Sequence, residues 1–328
     1  MQIITVINAK GGCGKSTIAM SLASGLAMRS YKTLLIDMDP QAQVTQWLGL
    51  GDGLSPEGTL VSAMEGRQTL DEVVQKTRFE NLSFVASSQQ LEDLGRQITD
   101  REDYATVFTG LLASLTAPIE FVVIDSPNQI SPVMENAIFP SDAFIVPFES
   151  TKAVRSYANF FQLLMRLRPG EEHRVLHVLS NLSRQRGLRQ RVIDATGLHG
   201  ITLARTEIHT CGWLAQVDES GGNIFAYRPH SRGAEDMALL VQELLELLGK
   251  SEPVNATNDE LPSVDSIEST PRESHAELPI GAPDIGSVGD YGNRHTPDHA
   301  GKSGEPHADH VVGSGGLSDN RTTHHEAA

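Results

Sequence analysis

Cysteine is nearly absent from this chain, with only Cys13 and Cys211 in 328 residues. Two thiols cannot build a disulfide framework, so the sequence reads as that of a protein from a reducing compartment. No apolar run approaches the roughly 20 residues that cross a bilayer, and no charged-then-apolar leader follows Met1. Secretion and membrane spanning are therefore disfavoured, and a cytoplasmic location is expected. No stretch combines Lys/Arg with a bulky apolar face, so docking of a helix on anionic lipid is not expected either. Internal repeats are lacking as well.

Positive charge is also in short supply, with 26 Lys+Arg against 42 Asp+Glu, net −16. The deficit is uneven. Residues 1–250 hold 22 against 28, net −6, whereas residues 251–328 hold 4 against 14, net −10. That last stretch abounds in Pro, Gly, Ser, Asp and His and has few large apolar side chains, too few to offset chain entropy by burial. The expected organisation is a folded domain over 1–249 and a disordered acidic tail over 250–328. Seven histidines fall in the tail (His275, His295, His299, His307, His310, His324, His325). Their irregular spacing, with no cysteine among them, favours solubilising disorder over a metal tract.

Chemistry concentrates near Met1. Residues 8–17 read Asn8-Ala9-Lys10-Gly11-Gly12-Cys13-Gly14-Lys15-Ser16-Thr17. A β-branched run, Ile3–Ile7, precedes them and a helical pattern, Ile18–Ala23, follows, which is the strand, glycine loop, helix context of a phosphate-binding loop. In that geometry the backbone N–H groups of Gly11, Gly12, Cys13, Gly14 and Lys15 curl around phosphate oxygens and the helix N-terminus adds partial positive charge. Lys15 neutralises the β/γ-phosphates, Ser16 offers its hydroxyl to Mg²⁺, and Thr17 completes the motif. Cys13, beside a helix N-terminus, is a candidate for a lowered pKa and oxidant sensing, set against simple space filling. Two more apolar strands end in acids: Thr33–Ile36 runs into Asp37-Met38-Asp39-Pro40-Gln41, and Phe121–Ile124 into Asp125-Ser126-Pro127. Parallel sheets place ligands at such strand ends. With amphipathic stretches such as Ala238–Leu245 alternating with strands, the expected fold is α/β, doubly wound, with a mostly parallel sheet and helices on both faces.

The segment from Lys10 to Ser16, with a lysine at the front of the loop, resembles the deviant P-loop of the ParA/MinD family of ATPases. The Asp37–Gln41 segment is similar to that family's D-x-D-P-Q. Ser141–Pro147 and Phe225–Asp236 resemble its next strand and its closing segment. The resemblance implies ATP and Mg²⁺ as ligands and hydrolysis to ADP and phosphate. It also implies that Lys10 reaches across a homodimer to the partner's nucleotide, that Asp39 positions the attacking water, and that Asp37 and Asp125 support the Mg²⁺ shell. By position, Asn181 and the backbone around Pro229 should flank adenine, although a strand-end Asn is as often a cap.

Within the family, ParA-type members bind DNA non-specifically as ATP dimers. Arg184, Arg186, Arg189 and Arg191, with Arg228 and Arg232, are the basic candidates here; such phosphate contacts give affinity without sequence readout. One departure stands out. Where several ParA proteins carry a basic segment, this chain has Ile208–Val217 with no arginine. The sequence lacks the cysteines of an iron protein's cluster site, the C-x-x-C of scaffold-type relatives and the tail tyrosine cluster of related kinases. Its P-loop begins at residue 8, so the operator-specific autorepression of the larger plasmid ParA proteins, which begin with a helix-turn-helix domain, is not expected. The resulting expectation is a ParA-like, nucleoid-associated ATPase that positions or partitions a cargo, released by a ParB-like or other cargo-bound stimulating protein. A MinD-like spatial regulator without DNA binding is the alternative, and a metabolic P-loop enzyme the remote one.

Overall fold

A computed structural model of the chain describes residues 1–49, 57–100, 103–182, 187–216 and 221–250, the side chains of 181 and 182 excepted. The expected tail, from residue 251 on, lies outside the described residues. In chain order the elements are β1 (Gln2–Val6), α1 (Lys15–Met28), β2 (Thr33–Asp37), α2 (Gln43–Trp47), α3 (Leu60–Met64), α4 (Leu70–Val73), β3 (Gln75–Lys76) and β4 (Leu82–Val85). They continue with α5 (Gln90–Gln97), α6 (Val107–Ala113), β5 (Phe121–Asp125), α7 (Pro132–Ile138), β6 (Ala143–Phe148), α8 (Thr151–Leu167) and β7 (Arg174–Leu182). The last are α9 (Leu188–Leu198), β8 (Leu203–His209), α10 (Gly212–Ala215), α11 (Ile224–Tyr227) and α12 (Arg232–Leu247).

Among the described residues eight strands form one sheet in the order β3-β4-β2-β5-β1-β6-β7-β8, parallel throughout except for the short antiparallel β3 at one edge. Side chains alternate across it, as the period of two requires. Ile4, Leu35, Val123 and Ile145 face α1 and α12 on one side. Leu34, Ile36, Val122 and Ile124 face the layer of α3, α5, α6 and α7 on the other. Phe144 and Val146 continue that second face under α8. The fold is thus the doubly wound, mostly parallel α/β sheet expected, and each strand read from the sequence is present.

Two packing details position the site. Helix α1 is buried nearly all round because it lies between the sheet and α12. A Cβ at Gly25 would sit 2.7 Å from Val241 Cγ2, so only glycine lets the two helices approach this closely. Strand register does the rest: Asp37 of β2 lies directly opposite Asp125 of β5, and Val6 of β1 lies opposite Asp125 on its other side. The two acids and the loop after β1 therefore meet at the C-terminal ends of the central strands.

The β8 edge, which the sequence reading did not anticipate, is covered from α12. Glu243 accepts hydrogen bonds from the backbone N–H groups of Arg205 (2.8 Å) and Thr206 (2.9 Å), and Asp236 accepts from that of His209 (2.9 Å). These carboxylates occupy donors that would otherwise template another strand. Among the described residues no helix is long and apolar enough to cross a membrane.

Candidate nucleotide-binding site

The glycine loop leaves the C-terminal end of β1 and turns into α1 through Gly12 (φ 77°) and Gly14 (φ 89°), both in the left-handed region that favours glycine. Gly14 caps α1 without any side-chain hydrogen bond, so the helix's first N–H groups point into the loop unshielded. Such an end binds anions through its free donors and its dipole. The cavity in front of it measures about 430 Å³ and is lined by Gly11 to Ile18 together with Asp39, Gln41, Asn128 and Ser180. Lys15 is buried to 6% exposure, and its ammonium donates to the Lys10 carbonyl at 3.3 Å. A buried ammonium with one neutral partner is poised to take anionic oxygens.

The three acids expected at the site converge on it with different environments. Asp37 is fully buried and saturated: it accepts from Thr45 N (3.0 Å), Thr45 Oγ1 (2.8 Å) and Asp39 N (3.1 Å). Burial outweighs these bonds and pushes its carboxyl up to about 7. Asp39, at 9% exposure, accepts from Gln41 N at 2.9 Å and is also raised, by burial first, with Gln41 and Lys15 opposing. Asp125 is fully buried, and neither of its oxygens has a hydrogen bond of ordinary geometry from the described residues. Burial and then the charge of Asp37 hold its carboxyl well above the usual range, partly offset by the Ser16 hydroxyl and the Lys15 ammonium.

An orphaned, buried carboxylate facing a serine hydroxyl is a donor set for a hard divalent cation. Ser16 and Asp125 therefore fit the expected Mg²⁺. Asp37 does not fit as a direct ligand, because both its oxygens are engaged; its place is behind Asp125, holding Thr45 and the turn to Asp39. Among the described residues no group of three or more His, Cys, Asp or Glu could hold a metal by itself. A cation here needs further oxygens, as from phosphate.

The first 170 residues match the AAA domain family AAA_31. The chain belongs to this family and is a P-loop ATPase of the ParA/MinD type. Its relatives include the cell division protein PomZ of Myxococcus xanthus, 27% identical over 247 residues, which cover 74% of this chain and 77% of PomZ. The chromosome-partitioning ATPase Soj of Treponema pallidum is 28% identical over 148 residues, 45% of this chain and 57% of Soj. Among solved structures, a Cyanothece McdA variant in complex with ATP superposes with a TM-score of 0.65 at 22% identity, covering 77% of this chain and 98% of that one. That likeness shows the shared fold.

In this ParA/MinD-type chain the remaining expected residues fare unevenly. Lys10 does not line the cavity of its own loop; its ammonium pairs with Glu149, just past β6, and donates to the Gly11 carbonyl at 3.1 Å. The Cys13 thiol is buried and pushed up, by burial above all, which suits packing and not oxidant sensing. The Asn181 side chain lies outside the described residues. Pro229 sits in an exposed turn and is not among the residues that line the cavity. That end of the cavity is instead walled by Cys211, Gly212, Leu214 and Ala215 of α10 and its cap, with Met237 of α12. The sequence flagged this segment as a departure but gave no sign that it would fold against the loop.

The arginines do not form one free face. Arg184 and Arg186 lie outside the described residues. Arg189 forks onto Glu207, with Nε 2.9 Å from Oε2. The Arg228 guanidinium stacks 4.1 Å from the Trp213 ring centroid, and Arg232 reaches Asp236 at 3.6 Å and His209 at 3.2 Å. Arg191 is exposed.

Proposed function

We propose that this protein binds Mg²⁺ and ATP at the Lys10–Thr17 loop and hydrolyses the nucleotide within an ATP-dependent homodimer that positions or partitions a cargo. The observation that carries the reading is the pairing of an uncapped α1 N-terminus and Lys15 with Ser16 and its neighbour, the orphaned Asp125 carboxylate: the anion site and the serine of the cation site line one cavity. Phosphoryl transfer leaves a protein little covalent chemistry to perform, so positioning and charge neutralisation carry catalysis. Lys15 and the α1 N–H groups hold the phosphates, while Ser16 and Asp125 hold the metal. Asp39, its basicity raised by burial, accepts a hydrogen bond from the attacking water. When bound, Mg²⁺ supplies neutralisation of the charge that develops on the phosphoryl oxygens. Lys10, which does not line its own cavity and pairs with Glu149, is the group available to a second protomer once Glu149 releases it.

PomZ and Soj are named for cell division and chromosome partitioning, which favours a cargo-positioning role with non-specific DNA as the track and a stimulating partner on the cargo. Arg191, with Arg184 and Arg186, is the basic group we assign to DNA. The second reading, a spatial regulator that does not bind DNA, draws on the intramolecular pairing of Arg189, Arg228 and Arg232. Retention on non-specific DNA and on anionic vesicles, with and without ATP and at two salt concentrations, separates them. ATP-dependent, salt-sensitive retention on DNA is the expected result, and retention on vesicles alone selects the second reading. Sizing with a non-cleavable analogue tests the dimer, and Asp39→Ala is expected to form a long-lived ATP dimer that does not turn over.

A further inference from the structure

Behind the nucleotide cavity lies a second, smaller cleft of about 150 Å³, and Asp39, Gln41 and Asn128 line both. Asp39 and Gln41 belong to the D-x-D-P-Q segment. Asn128 comes from the loop after β5, three residues beyond Asp125, and nothing else assigns it a role. It is half-buried, and its carboxamide makes no hydrogen bond to the described residues although it can both donate and accept. A methyl at Gly11 would sit 3.5 Å from its amide nitrogen, so the amide lies over the front of the glycine loop.

Which end of the nucleotide that is can be read from Lys15. Its ammonium, the cation for the β/γ-phosphates, reaches forward to the carbonyl of Lys10, the residue before Gly11. Asn128 therefore stands at the γ end, between the loop and Asp39. Resting on the ATPase reading above, we propose that Asn128 is a catalytic residue of hydrolysis, its amide donating to a γ-phosphoryl oxygen while its carbonyl accepts from the attacking water. The water oxygen bonds to the γ-phosphorus as the bond to the bridging oxygen breaks. The electron pair leaves with ADP, and the water's proton passes to Asp39 and then to solvent or phosphate. Two carboxylates flanking the water would repel the γ-phosphate; a neutral amide beside Asp39 orients it without adding charge.

The test is single-turnover hydrolysis of radiolabelled ATP by the full chain, beside nucleotide affinity, analogue-induced dimerisation and thermal unfolding, for wild type, Asn128→Ala and Asn128→Asp. Loss of one transition-state hydrogen bond costs about 10²–10³-fold in rate in well-studied cases. We expect Asn128→Ala to slow hydrolysis at least about 10-fold, with affinity and dimer formation held within about 3-fold and unfolding temperature unchanged. Asn128→Asp, of the same shape, should be slower still than wild type for reasons of charge, and so guards against a folding artefact. Hydrolysis within about 3-fold of wild type for both variants, or a rate loss matched by lost affinity or lost dimer, overturns the role of Asn128 and leaves the ATPase reading standing. A wild-type chain that binds ATP without hydrolysing it removes both.

Discussion

Replacing Asp125 by Asn should make the protein more stable while removing its response to Mg²⁺. Asp125 and Asp37 are strand neighbours in direct register, both fully buried. Burial pushes the Asp37 carboxyl up to about 7 even with three hydrogen bonds to hold it down. Against an unfolded value near 4, that is a difference of about three pKa units, or about 4 kcal/mol for the ionised form. Asp125 has no such bonds from the described residues and carries the charge of Asp37 beside it, and a buried charge left without a partner costs about 3–5 kcal/mol. Asparagine removes the charge but leaves a buried amide short of partners, a penalty of about 1–3 kcal/mol. The net gain for Asp125→Asn is then about 1–3 kcal/mol at pH 8 in the absence of metal and nucleotide. In a domain of this size that is several degrees in unfolding temperature, at about 2–4 °C per kcal/mol.

The pH dependence fixes the cause. A carboxylate whose folded pKa lies above its unfolded value destabilises the fold above the folded pKa, and the penalty fades as pH falls toward the unfolded value. The advantage of Asp125→Asn should therefore be largest at pH 8 and shrink steadily toward pH 5. Urea unfolding of wild type and variant at pH 8, 7, 6 and 5, with EDTA or with Mg²⁺ and a non-cleavable ATP analogue, measures both effects. Wild type should gain stability from the metal and nucleotide together, and the variant should gain much less. An Asp125→Asn protein less stable than wild type at pH 8, or one whose advantage does not change with pH, would refute the assignment of an uncompensated buried charge.

Two other outcomes follow from the same geometry. Lys10→Ala should leave ATP affinity within about 3-fold, because Lys10 does not line its own cavity, yet abolish analogue-induced dimers in sizing experiments; normal dimers rule out its role across the interface. His177 is packed against Phe148 and Tyr157 with Nδ1 on the Thr202 carbonyl at 3.0 Å, and burial pushes its pKa down. The neutral ring stabilises the fold above pH 6.5, and that contribution is lost as pH falls below it. The stability difference between wild type and His177→Gln should narrow from pH 7 to pH 5, and a constant difference counts against a buried neutral ring.

What the sequence disclosed is what local spacing controls. The glycine loop, Asp37, Asp39 and Asp125 are each tied to a strand end, so naming the strand places the residue, and the parallel register brings them together with no further information. Residues whose role depends on distant folding were illegible. Pro229 matched a family segment by position, whereas the part α10 and its cap play in the cavity wall had no local signal. Nothing in the local sequence marks Glu149, which β6 sets beside Lys10, or Asn128, which the loop after β5 lays over Gly11. The arginines between 184 and 191 read as one basic run, yet Glu207 of the neighbouring β8, invisible in that run, already pairs with Arg189.

The same placements argue that nucleotide binding and dimerisation are separate steps. Phosphates and a cation relieve the charges that the fold buries at Lys15 and Asp125, and ligand at a hundredfold excess over its Kd contributes about 2.7 kcal/mol, of the same order as the cost of one unpaired buried charge. None of that requires Lys10 to move, since it lies outside the cavity and is held by Glu149. Releasing Lys10 strips Glu149, 12% exposed, of its cationic partner and leaves it with the Ser150 hydroxyl at 2.8 Å. Removing one partner of a buried pair costs about 3–5 kcal/mol, less where the pair is partly exposed as here. In the dimer proposed above, a second protomer carrying its own triphosphate offers Lys10 a stronger anionic site than Glu149 does. On that proposal the lysine transfers only when the anion is present, so dimers should form with a non-cleavable ATP analogue and not with ADP, and equal dimerisation with ADP refutes the transfer.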